Sequence, residues 1–251
     1  MWAIVTGGSA GLGLAISEQL SLRGYDIVIV SRNPRKLEQA AESIRTRGRR
    51  DAKVLCHALD LSLPDAPEKL HEWTIAEQIH PKVLVNNAGI YFYKNVTDVT
   101  KEQQESIIGL NISALASLCR LYGNEMEKGS HILNIASYSV YMPIAGFAYY
   151  AGSKAFIKTF SRCLGKELRP GGVYVTAVAP AGMDTDLMNL RPGIRRLARA
   201  MGMLVRPSRI AAKALHAMDL RCRYIIPGWY NALFIPFLWM FQPIFKRVLK
   251  P

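Results

Sequence analysis

Short apolar runs of strand type alternate with amphipathic helical stretches from the first residues to about residue 227, and nothing else in the chain constrains its fold as much. Residues 3–6, 26–30, 53–58, 82–86, 131–136, 173–179 and 224–227 are β-branched or apolar runs bounded by Gly, Pro, Asn or Ser. Helix signals lie between them. Asn33 before Pro34 makes an N-cap with proline at the first helical position, opening an amphipathic run to about Arg47. Thr100 with Gln103 forms a capping-box pattern ahead of a long apolar-periodic stretch to Met126, and Pro207-Ser208 precedes a helix over 210–220. Strands joined by helices imply right-handed crossovers, so an α/β fold is expected, with a seven-stranded, doubly wound parallel sheet covered by helices on both faces.

With 251 residues the chain is long enough for one such domain, expected over 1–228, and no repeat or low-complexity linker divides it. The four cysteines (Cys56, Cys119, Cys163, Cys222) form no CxxC pair and accompany no histidine cluster. No metal site and no disulfide framework are expected, and a reducing compartment fits. The apolar start MWAIV runs straight into a glycine-rich turn, so no signal peptide is read there. The net charge is +13, and nine of those charges lie in residues 183–251. Such a surface suits a nucleic acid or an anionic membrane.

The turn after the first strand reads Thr6-Gly7-Gly8-Ser9-Ala10-Gly11-Leu12-Gly13 and leads into a helix. Glycines there allow a tight turn and the close approach of a pyrophosphate, while the helix N-terminus supplies free N–H groups and partial positive charge. This is the signature of a Rossmann-type dinucleotide site, although the spacing is GxxxGxG and not GxGxxG. The second strand ends Ser31-Arg32-Asn33. In dinucleotide folds an acidic residue near this point binds the ribose hydroxyls, whereas an arginine accommodates a 2′-phosphate. Arg32 holds that place and no carboxylate does, which favours NADP(H) over NAD(H).

Tyr150-Ala151-Gly152-Ser153-Lys154 sets a phenol and an ammonium one helical turn apart on the same face. A free tyrosine, with a pKa near ~10, is a poor acid–base at neutral pH. A cation beside it favours the phenolate, so Lys154 is expected to bring Tyr150 toward working range. Tyr149 competes for the role, but its neighbour four residues on is Ser153, which carries no charge.

Taken together, these motifs resemble the short-chain dehydrogenase/reductase family over nearly the whole chain. The cofactor loop TGxxxGxG is matched by Gly7, Ser9, Gly11, Leu12 and Gly13 with Thr6, and the aspartate after the third strand, which contacts adenine in the family, by Asp60. The NNAG signature is matched by Asn86, Asn87, Ala88 and Gly89, the asparagine of the following helix by Asn111, and the serine closing the fifth strand by Ser137, thirteen positions before Tyr150. The resemblance implies that Tyr150 exchanges a proton with the carbonyl oxygen and that Ser137 hydrogen-bonds that oxygen. It also implies that Lys154 holds the nicotinamide ribose and that Asn111 holds a water linking Lys154 to solvent. Pro180 and Thr185 keep the family's places after the sixth strand, but Ala181 stands where the family usually has glycine.

The resemblance is thinner beyond residue 228. Residues 229–251 form an apolar extension with no charge before Lys246, interrupted by Pro236 and Pro243. It is expected to lie in one leaflet, anchored by Trp229, Trp239 and the terminal bases, or to pack on a partner subunit; it is not expected to span a bilayer. Residues 182–206 match the family's substrate lid. There Leu190, Ile194, Leu197, Ala198 and Met201 alternate at helical spacing with Arg191, Arg195, Arg196 and Arg199. The whole reads as an NADPH-dependent oxidoreductase acting on a lipophilic carbonyl compound such as a 3-oxoacyl, sphingoid or steroid-like ketone. Its substrate pocket is expected to be lined by Tyr91, Tyr141, Met142 and Met183. The expected protein is a cytoplasmic homo-oligomer, peripheral to the membrane surface, with no nucleic-acid partner. Two other readings stay open at this point: a nucleotide-sugar epimerase, and a cofactor-sensing or nucleic-acid-binding protein on the same fold.

Overall fold

The computed structural model describes residues 1–141, 144–182 and 204–228. The expected lid helix, the apolar extension 229–251, Thr185, Met142 and Met183 lie outside the described residues. Seven parallel strands form one sheet: β1 (Trp2–Thr6), β2 (Asp26–Ser31), β3 (Val54–Ala58), β4 (Pro81–Asn86), β5 (His131–Ile135), β6 (Tyr174–Val178) and β7 (Tyr224–Ile225). Their order is β3-β2-β1-β4-β5-β6-β7. The chain therefore reverses its direction of travel across the sheet between β1 and β4. In such sheets the crevice beyond the carboxyl ends of the strands at the reversal is the ligand site.

Helices α1 (Gly11–Leu22), α2 (Pro34–Arg47) and α7 (Pro207–Asp219) cover one face. On the other lie α3 (Ala66–Ala76), α4 (Lys101–Ile108), α5 (Leu115–Gly123) and α6 (Ala148–Glu167). Central strand residues are buried on both faces: Val5, Ile29 and Val85 pack under α1 and α2, and Ile4, Val28 and Leu84 pack under α3 and α5. This double burial explains why the strands are continuous apolar runs and do not alternate.

The caps formed as the sequence implies. Asn33 accepts a hydrogen bond from the Lys36 N–H at 3.1 Å, and the reciprocal pair between Thr100 and Gln103 closes the start of α4. Three elements differ from the expectation. Helix α3 adds to the helices read from sequence: Asp65 stands at its N-cap and Pro67 in its first turn, although the Asp65 side chain makes no cap bond. The single helix expected from Thr100 to Met126 is interrupted by a π turn, Gly109–Ala114, and ends at Gly123. Strand β7 pairs over only two residues, because Pro227 removes a donor and ends the ladder. Lys101–Gly123 is long and apolar enough to cross a membrane, but its buried side packs into the core through Ile107, Ala114, Leu115 and Leu118.

Candidate active site

The glycine loop joins β1 to α1 and is braced from β4. The Thr6 hydroxyl donates to the Val85 carbonyl and accepts from the N–H groups of Asn87 and Ala88 at 3.0 and 3.1 Å. The Asn87 amide donates to the carbonyls of Thr6 and Gly7. Gly7 has φ +64°, and a Cβ there would lie 2.8 Å from the Asn87 amide nitrogen, so the turn demands glycine. Ala10 caps α1 without a side-chain bond, the first turn holds no acidic residue, and the first intrahelical donor is the Leu14 N–H. The N–H groups of Gly11, Leu12 and Gly13 thus remain at the mouth of the loop, as an anion site requires. Ser9 donates to the Ser31 hydroxyl at 2.9 Å, closing the loop against β2; Ser31 enters the site only through this contact between the loop and the strand.

Arg32 follows β2 and, with Asn33, Pro34 and Arg35, lines an open depression at the start of α2. A carboxylate approaches Arg32 from the neighbouring strand: Asp60, beyond β3, lies 3.9 Å from the guanidinium. Asp60 is held by Ser62, whose N–H and hydroxyl both donate to Oδ1. Partial burial raises its pKa, but the Ser62 bonds and then Arg32 outweigh that, and the net direction is down.

On the far side of the crevice, Ser137 and the side chains of α6 converge. The Ser137 hydroxyl accepts from the Ser139 N–H at 3.1 Å and lies beside the Tyr150 phenol, whose pKa it lowers. Lys154 is only 4% exposed; its Nζ donates to the Ile135 carbonyl at 2.9 Å and sits 5.7 Å from the centre of the Tyr150 ring. Burial pulls Lys154 down to about 8. Burial also pushes the Tyr150 phenol up, only partly offset by Ser137. The expected depression of Tyr150 by Lys154 is therefore not what this geometry produces: the ammonium is spent on a carbonyl and stands over the ring, and desolvation of the phenol wins. Tyr149 is turned elsewhere, donating to Gln104 at 3.0 Å.

Asn111 sits in the π turn. Its side chain pairs with both backbone groups of Ile90 at 2.9 Å and donates to the Ser153 hydroxyl at 3.0 Å; Ser153 donates in turn to the Tyr150 carbonyl. The side chain implied as a water holder is thus committed to protein partners, and Ser153, which the sequence reading did not single out, connects it to α6. A Cβ on Gly89 would lie 3.2 Å from Asn111 Oδ1 and 3.3 Å from Lys154 Nζ, so glycine keeps the space before both open. Pro180 borders the same end of the sheet, its carbonyl accepting from the Tyr138 N–H. Around Tyr150 the walls are aromatic: Tyr91 stacks on Phe147 at 5.9 Å, and both rings lie within 6 Å of the Tyr150 ring. Tyr141, expected in this wall, turns to β7, donating to the Tyr224 hydroxyl at 3.1 Å.

The sequence pattern of the short chain dehydrogenases matches residues 1–193. The chain belongs to that family of oxidoreductases. Among similar proteins, the very-long-chain 3-oxoacyl-CoA reductase of Rattus norvegicus is 29% identical over 245 residues, covering 91% of this chain and 76% of that protein. The 17-beta-hydroxysteroid dehydrogenase type 3 of Danio rerio is 33% identical over 193 residues, covering 74% and 62%. A short-chain dehydrogenase from Sphingobium yanoikuyae, solved in complex with NADPH, superposes with a TM-score of 0.80 at 26% identity, covering 99% of this chain and 96% of that one.

Proposed function

We propose that this oxidoreductase is an NADP(H)-dependent reductase of a lipophilic carbonyl compound of the 3-oxoacyl, sphingoid or steroid-like class. The observation that carries the reading is the convergence of Ser137, Tyr150 and Lys154 at the carboxyl end of the sheet, inside an aromatic wall and across the crevice from a glycine loop. The residues present fit the dinucleotide: free helix N–H groups for its pyrophosphate, Arg32 for a 2′-phosphate, and the space before Gly89, Asn111 and Lys154 for its nicotinamide end. Two of the relatives are named for lipophilic substrates, an acyl-CoA and a steroid, and the structural neighbour for NADPH.

Bound there, the nicotinamide would supply hydride to the substrate carbonyl carbon. Ser137 hydrogen-bonds the carbonyl oxygen, where negative charge develops. Tyr150 delivers its proton to that oxygen; a phenol held protonated by burial is a competent acid at neutral pH. Lys154, with a pKa of about 8, is the nearest group able to restore that proton. Tyr91 and Phe147 exclude water from the reacting centre and favour an apolar substrate body. The extension 229–251, with the bases of the expected lid, keeps the enzyme at a membrane surface where such substrates partition.

NADPH oxidation by the full-length protein with 3-oxoacyl thioesters, 3-ketosphinganine and 17-ketosteroids, set against small water-soluble ketones, tests this reading. At least one lipophilic class should exceed the small ketones in kcat/KM by a hundredfold or more. Equal turnover of the small polar ketones would overturn it.

A further inference from the structure

Positive charge gathers at the β7 end of the sheet. Residues 144–182 and 204–228 carry ten Lys and Arg against Glu167 and Asp219, and Asp219 is bound to Arg23. Lys158, Arg162 and Lys166 follow one another at four-residue steps, one face of α6, where like charges repel. That face flanks β6 and β7: the Lys158 ammonium lies 4.2 Å from the centre of the Tyr141 ring and 5.4 Å from that of Tyr224. Arg221 and Arg223 stand in the turn before β7, the first with its guanidinium 4.2 Å over Tyr174.

Among the described residues, none of these five cations has a carboxylate within ion-pairing distance, whereas Arg47, Lys69, Lys101 and Arg120, away from this end, each do. Lys158 and Arg221 lean on tyrosine rings, which hold a cation without neutralising it. Gly228 lies at this edge, and the sequence continues from it for twenty-three residues without an acid, beginning Trp229-Tyr230.

We propose that this β7 flank, formed by Lys158, Arg162, Lys166, Arg221 and Arg223, is the surface that seats on an anionic bilayer, with its headgroups against the cations. The inference rests on the membrane reading above and adds the face that makes contact. A headgroup layer takes cations, tyrosines and tryptophan together. The apolar segment rooted at the same edge enters lipid but has no place on a nucleic-acid backbone. A second copy meeting this edge would bring like charges face to face. Tyr141 lies four residues beyond Ser137, so a bilayer seated here adjoins the loop that carries Ser137 and offers a lipid-dissolved ketone a short path to it.

Vesicle co-sedimentation of the full-length protein tests the proposal, using phosphatidylcholine vesicles with and without phosphatidylserine. The wild type is compared with R162Q/K166Q/R223Q and with a control of equal charge loss, R47Q/K69Q/K101Q. NADPH-dependent reduction of a water-soluble ketone, without vesicles, reports that each variant is folded. The flank variant should lose about fivefold in partitioning to anionic vesicles per charge removed, and the control threefold or less. If wild type binds anionic vesicles and the flank variant binds equally, or both variants lose equally, this face is wrong while the membrane reading stands. If wild type binds no vesicle, the membrane reading fails and the proposal with it. If wild type prefers duplex DNA over anionic vesicles and the flank variant loses that binding, the partner is nucleic acid and the proposal is overturned.

Discussion

The Arg32 guanidinium faces the Asp60 carboxylate at 3.9 Å, across the carboxyl ends of β2 and β3. The pair is open to solvent and longer than a hydrogen bond, so it holds Arg32 weakly. A 2′-phosphate, with more charge and several acceptor oxygens, competes for the guanidinium with advantage. The wild type should bind NADPH at least tenfold more tightly than NADH, measured as dissociation constants by fluorescence titration. Arg32→Ala should erase the difference by weakening NADPH alone. Asp60→Asn should tighten NADPH modestly, by relieving repulsion of the phosphate. Equal affinities in the wild type would remove Arg32 from the role.

Ser153 offers a second test, because it links the π turn to the helix bearing Tyr150. Ser153→Ala leaves one amide hydrogen of Asn111 without its acceptor in a buried place, a loss of about 1–3 kcal/mol in stability. If the link also aligns Tyr150, kcat should fall roughly tenfold, about 1.4 kcal/mol in barrier, with the NADPH dissociation constant unchanged. A destabilised variant with an unaltered kcat would make Ser153 structural only.

Burial of Lys154 has a pH signature. Its pKa is about 8 in the folded chain against 10.5 for the free side chain, so between those values the unfolded chain binds more protons and stability rises with pH. The burial penalty is complete below pH 8 and is relieved as pH climbs from about 8 toward 10.5, by up to about 3 kcal/mol. Tyr150, raised by burial, acts in the opposite sense above about pH 10. Urea denaturation from pH 7 to pH 10 should therefore show a rise for wild type that Lys154→Met lacks. Parallel curves would mean that the ammonium is solvated.

The strand set, the Asn33 cap, the Thr100–Gln103 box and the glycine loop were legible because each rests on neighbours in sequence. Helix α3 carries local signals as well, Asp65 and Pro67, and the other differences depend on contacts between distant segments. Arg32 and Asp60 are twenty-eight positions apart and meet because β2 and β3 are adjacent in the sheet. The π turn at Asn111 leaves the apolar composition of its helix intact, so no periodicity announces it. Lys154 and Tyr150 were rightly placed on one helix face, but the sequence shows neither the Ile135 carbonyl that takes the ammonium nor the desolvation that lifts the phenol.

Tyr150 and Tyr149 separate the proposed proton donor from its neighbour. Tyr149 donates to Gln104 on an exposed surface, and Tyr149→Phe should keep most of the activity, at a cost of no more than about 1 kcal/mol in stability.

Most direct is the steady-state rate of NADPH oxidation with the best lipophilic ketone, wild type against Tyr150→Phe, with NADPH affinity measured for both. The account predicts a loss of at least a thousandfold in kcat with the NADPH dissociation constant within threefold of wild type. A Tyr150→Phe protein that keeps a tenth or more of the wild-type kcat would contradict it.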